Sequence, residues 1–107
     1  MLIFELIEIF WQEQPVGILV NPVPDMWYME GKFILGSSKT AEDFRKLAEQ
    51  LDARLVLEDW DEGIVVELKI PTSSSFGIVH SLSEDSLFLR RIYARENIEW
   101  ASKQYKG

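Results

Sequence analysis

The sequence contains no cysteine and a single histidine, His80. The first absence excludes a disulfide framework, a thiolate zinc site and a cysteine nucleophile. With only one histidine, a His/Cys metal cluster cannot be assembled within one chain either. The signatures G-x-G-x-x-G, Walker A, H-E-x-x-H and G-x-S-x-G are missing too. No basic residue occurs in the first 31 positions, which hold five acids, Glu5, Glu8, Glu13, Asp25 and Glu30. The stretch 1–11 is apolar enough for a signal peptide, yet it has no basic n-region and Glu5 and Glu8 interrupt it. Charges are costly in an h-region or a membrane span, so a strand is expected there, with a helix as the alternative for so short a run. The protein is accordingly expected to be cytoplasmic, with no membrane partner and no anchor.

What is present is ordinary for a globular domain: 107 residues, 47% hydrophobic and 27% charged. That length predicts a single domain over 1–107 with one core, large enough to stand without metal or disulfide staples. Four Trp, three Tyr and six Phe supply large apolar surfaces for a core or an interface. The net charge of −7 is uneven, because Arg90, Arg91, Arg95, Lys103 and Lys106 outweigh Glu96 and Glu99 near the end of the chain. Overall acidity opposes a phosphate backbone, so no nucleic-acid partner is expected. It favours a cationic partner, although acidity also serves plain solubility.

Hydrophobic alternation predicts strands over 2–11, 16–21, 27–35, 54–59, 64–70, 76–82 and 87–92. The segment Asn21-Pro22-Val23-Pro24-Asp25 is expected to break the second of these, since its two prolines lack donors. One helix is expected after Gly36-Ser37-Ser38, with Thr40 as N-cap, Glu42 and Asp43 in the first turn, and Phe44, Leu47, Ala48 and Leu51 as its apolar stripe. Glu42 with Lys46, and Arg45 with Glu49, stand at ion-pair spacing on its other face. The fold class read from this order, βββαββββ, is α+β: a curved antiparallel sheet of about six to seven strands carrying one amphipathic helix. A half-open barrel plugged by that helix is the near neighbour. The last four strands are expected to form a meander, and residues 94–107 to be a C-terminal helix or a loosely docked tail.

The run Glu58, Asp59, Trp60, Asp61, Glu62 packs four carboxylates around a tryptophan. As a binding edge, Trp60 would anchor a protein partner while the acids steer a basic one. Asp59-x-Asp61 also opens like an EF-hand loop, but Gly63 falls one position early and Ile70 stands where Glu is needed. A solvated hairpin turn is the plain competitor, and no metal or other cofactor is expected. His80 shares an alternation face with Phe76, Ile78 and Leu82, so it should point toward the core. There it is either a satisfied core residue or, with Trp27 and Tyr28, the polar group of a pocket between helix and sheet. Glu30 and Glu67 sit in mid-strand, where an acid–base pair across a cavity competes with cross-strand ion pairs on a wet face. Arg90, Arg91 and Arg95 could meet an anion, or neutralise the protein's own acidic N-terminal strand.

Taken together, these features point to a non-catalytic, acidic protein-binding module, an inhibitor or immunity-type protein for a basic partner. Small acidic proteins that neutralise basic enzymes share its physical type, though no motif. The alternative is a small-molecule-binding protein or hydrolase. A homodimer through an edge strand or an aromatic face is open under either reading.

Overall fold

The structure, a computed structural model, describes residues 6–106. The strand expected over 2–11 therefore lies partly outside the described residues. Six strands are present: β1 (Leu6–Trp11), β2 (Gln14–Asp25), β3 (Tyr28–Leu35), β4 (Ile64–Ile70), β5 (Ser73–Ser83) and β6 (Ser86–Arg91). Between the two groups of three lie α1 (Lys39–Glu49), α2 (Ala53–Glu58) and a 3-10 turn at Trp60–Glu62, and α3 (Arg95–Lys106) follows β6.

The α+β class and the antiparallel pairing are as the alternation suggests, but the sheet is closed rather than open. Its order is β1-β2-β3-β6-β5-β4, with β4 returning to pair with β1. Two three-strand meanders thus meet along two seams, β3 against β6 and β1 against β4. Register shifts at Ile9/Phe10, Val20/Val23 and Val79/Ser81 mark bulges, which increase twist and bend and so allow closure. At Gly17 the walls approach so closely that a Cβ would lie 2.5 Å from the Ile34 carbonyl oxygen and from the Phe33 ring.

Ile7, Ile9, Leu19, Met29, Phe33, Val66, Leu68, Val79, Leu87 and Leu89 fill the interior together with Ala41, Phe44 and Ala48 of α1. α1 touches both β2 and β5, which stand on opposite sides of the ring, so it lies across one mouth of the barrel. Its Phe44 ring sits 5.9 Å from Trp11 and 5.7 Å from Phe33. A second apolar cluster, Val56, Val65, Ile78, Ile92, Ala101 and Tyr105, lies outside the barrel wall, where α2 and α3 cover β4 and β5.

Several expected details are corrected. Residues 54–59 are not a strand: Asp52 Oδ1 accepts from the Arg54 amide at 2.9 Å, and the Val56 and Asp59 amides donate to the Asp52 and Leu55 carbonyls, an α-helical spacing. Only Val56 of α2 is buried, while Leu55 and Leu57 face outward, so their alternation was not a strand signal. The strands therefore number six with three α-helices, and the closing meander has three strands instead of four. β2 runs through the prolines to Asp25: the register shift between Val20 and Val23, with Asn21 at φ 50°, interrupts the ladder there, and the strand resumes its pairing with β3 at Val23. The serines Ser73–Ser75 are strand, leaving a turn of Pro71 and Thr72. Ser38, not Thr40, caps α1, its Oγ accepting from the Ala41 amide at 3.0 Å. On α1 Arg45 takes both Glu42 and Glu49, and Lys39 pairs with Asp43; the hydrogen bond from Arg45 holds the Glu42 carboxyl below its ordinary value.

Candidate functional site

At the other side of the wall, three pieces of chain converge: the β2–β3 turn at Met26 and Trp27, the end of β6 with Arg90 and Arg91, and the 3-10 turn carrying Trp60. Tyr93 and Asn97, which lead into α3, close the fourth side. Together they line a cleft of about 390 Å³. The convergence is built by backbone pairing, since the Arg91 amide donates to the Trp27 carbonyl and the Arg91 guanidinium to the Met26 carbonyl, both at 2.6 Å.

The two guanidiniums are held against rings. The Arg90 guanidinium carbon lies 4.8 Å from the Trp60 centroid and 5.7 Å from Tyr28, and that of Arg91 lies 5.4 Å from Tyr93. Trp27 stands 6.0 Å from Tyr93, and Trp60 is backed by Trp100 at 5.8 Å. The Nε atoms of both arginines are buried without a hydrogen-bond partner. Neither arginine forms an ion pair among the described residues. Among the described residues they do not neutralise the N-terminal strand: β1 and β6 are three places apart in either direction around the ring, and Glu8 stands opposite Lys69.

The acidic run lies beside this cleft. Glu58 ends α2, and the Asp59 carboxylate caps the 3-10 turn by accepting from the Asp61 amide at 3.0 Å. Glu58, Asp59, Asp61 and Glu62 are all exposed around a half-buried Trp60. Among the described residues no group of three or more His, Asp and Glu is placed to hold a metal ion.

His80 sits at the bulge in β5. The register shift between Val79 and Ser81 turns His80 outward with Ile78, whereas Leu82, expected on the same face, points into the barrel. Outward here means under α2. The residue is 2% exposed, its ring edge-on to Tyr28 at 5.7 Å and to Phe88 at 5.5 Å. Burial pushes its pKa down, the Arg90 charge adds to that, and a hydrogen bond with the Ala53 backbone opposes both. Its Nε2 has no partner among the described residues, and it is not part of the lining of the 390 Å³ cleft.

The two candidate groups, Glu58–Glu62 and Trp27/Tyr28/His80, are thus neighbours joined through Arg90, which lies over both Trp60 and Tyr28. Glu30 and Glu67 stay apart, on strands three places distant around the ring. Glu30 accepts from Ser86 Oγ at 3.0 Å; Glu67 accepts from the Tyr105 hydroxyl at 3.2 Å and lies 3.8 Å from Lys69. Burial, with the Glu67 charge second, pushes the Tyr105 phenol up to about 12. Sequence reasoning missed Tyr93 and Asn97. The one available signal was an arginine pair ending a strand just before an aromatic.

The fold and the face together define a class: a closed six-stranded antiparallel barrel, plugged by one helix, with an aromatic–arginine cleft at its rim. Comparison with known proteins returns no matching family model, no matching curated protein and no matching solved structure. Among the described residues no helix is long and apolar enough to cross a membrane.

Proposed function

We propose that the protein is a non-catalytic binding module that docks a basic protein through the face around Trp60, in the manner of an inhibitor or immunity protein. One observation carries this reading: exposed carboxylates at Glu58, Asp61 and Glu62 flank in sequence a half-buried tryptophan that shares a cleft with exposed Trp27 and Tyr93, Met26 adjoining Trp27 in the β2–β3 turn. Met26 is 74%, Trp27 47% and Tyr93 53% exposed, an apolar outlay that folding alone does not repay. Tryptophan and tyrosine within a charged rim are the usual composition of an energetic hot spot. The net charge of −7 would steer a cationic partner toward the module and make association fall with added salt.

The test is a tagged capture from the native cytosol with bound proteins identified by mass spectrometry. The expected result is one basic partner that elutes at raised salt and is lost from an Asp61→Lys/Glu62→Lys variant, both positions being exposed and outside the core. Retention of the same partner by that variant would overturn the assignment of the face. A small-molecule-binding protein is the second reading, favoured by the cleft between Trp27 and Trp60. A homodimer is compatible with both; Ile18 and Ile34, opposed across β2 and β3 and exposed, offer it an apolar outer wall.

A further inference from the structure

We propose that the cleft between Trp27 and Trp60 binds a small molecule consisting of a planar ring that carries an anionic group, with Arg90 and Arg91 as the partners of the anion. This rests on the second reading above, a small-molecule site in the cleft, and does not require a basic protein to dock on the same face.

Charge is the first argument. In a chain of net charge −7, carboxylates are abundant, yet two half-buried guanidiniums line one cleft and take none of those described. Arg45, also half-buried, holds two carboxylates, which is how this fold treats such a group elsewhere. A half-buried guanidinium without a counter-ion is costly, and an anion in the cleft would relieve that cost.

Geometry is the second. The Arg90 guanidinium lies over Trp60 and that of Arg91 over Tyr93, which restricts where each can go, and the Met26 carbonyl holds Arg91 further. Their Nε atoms are covered and Arg91 Nη2 already donates to the Met26 carbonyl, so both terminal amino groups of Arg90 and the Nη1 of Arg91 are the donors left for a ligand. A fork held in place before the ligand arrives loses little entropy on binding a carboxylate or phosphate. The ring partners are exposed and separate from the core: Trp27 and Tyr93 lie 6.0 Å apart on the cleft wall, and Asn97 adds an amide that can orient a polar ring edge. The volume of about 390 Å³ falls in the usual range for small-molecule sites and accommodates a bicyclic ring with its anion.

The test is an NMR titration of the full chain with two anions, indole-3-acetate for the carboxylate and adenosine monophosphate for the phosphate. Tryptamine and adenosine serve as the matched cationic and uncharged rings. At least one anion should saturate, with shifts confined to Trp27, Tyr93, Asn97 and the arginine side chains; which one binds decides between carboxylate and phosphate. The matched ring without the anion should bind at least about tenfold more weakly, and Arg91→Gln should weaken the anion by about tenfold or more. Tyr93→Ser, at an exposed position that the fold does not need, should weaken binding with the melting curve unchanged. Absence of saturation by both anions, equal binding of tryptamine, or an Arg91→Gln protein of unchanged affinity would each overturn the proposal.

Discussion

An imidazole buried edge-on against the stacked Tyr28 and Phe88 rings, with the Arg90 charge nearby, is easier to protonate in the unfolded chain than in the barrel. Its folded pKa is depressed from 6.5, so as pH falls the unfolded state takes up the proton first. The stability this neutral imidazole contributes is therefore present above about 6.5 and is lost as pH drops through the lowered folded value. Urea midpoints measured at about pH 7.5 and about pH 5.5 should show the wild type losing stability on acidification. A His80→Phe variant, which keeps a ring against the Tyr28/Phe88 stack, should lose distinctly less over the same interval. An equal loss in both proteins would mean that the carboxylates alone set the acid response.

At the scale of the element, the β1–β2 hairpin carries a local conflict. Its two turn residues, Gln12 and Glu13, have φ of 50° and 65°, the left-handed geometry that a two-residue hairpin demands and that neither side chain favours. Replacing them with Asn and Gly should stabilise the protein by about 1 kcal/mol in denaturant unfolding, with the slope unchanged. This conflict also shows what could be read in advance. The strand alternation around Val66, Leu68, Phe33 and Leu89, and Phe44 and Ala48 on α1, are written in the sequence because burial selects them residue by residue, whereas Leu47 of the expected stripe is exposed and Leu51 lies past the end of the helix. Leu55 and Leu57 misled, because a six-residue helix anchored by one buried valine leaves too few positions to display a period. The bulge at His80 was equally silent: one added residue in β5 reverses the face of Leu82 without changing composition. Of the site, the acidic run and Trp27 stood out singly, but the meeting of Trp60 and Tyr28 at Arg90 depends on the pairing of β3 with β6, which joins residues far apart in sequence.

On the scale of the whole molecule, barrel closure binds residues far apart in sequence: β1 to β4 and β3 to β6. Folding must close large loops before those seams reward it, so the protein should fold slowly for its size. Closure also pairs every strand of the ring with a neighbour on both sides, which disfavours self-association by strand addition and leaves an outer wall as the larger surface for a dimer.

The arrangement of the barrel as two meanders has a consequence for the chain as a divisible object. Each meander is contiguous in sequence, and the link between them passes through residues 51 and 52, between α1 and α2, outside any strand. Cut there, the protein falls into halves of three strands each, both with two bare edges and half a core, which makes each a specific template for the other. Co-expressed fragments split between Leu51 and Asp52 should therefore reassemble into the native barrel, reporting on their encounter when each is fused to half of a luminescent reporter. Either fragment alone should be aggregation-prone.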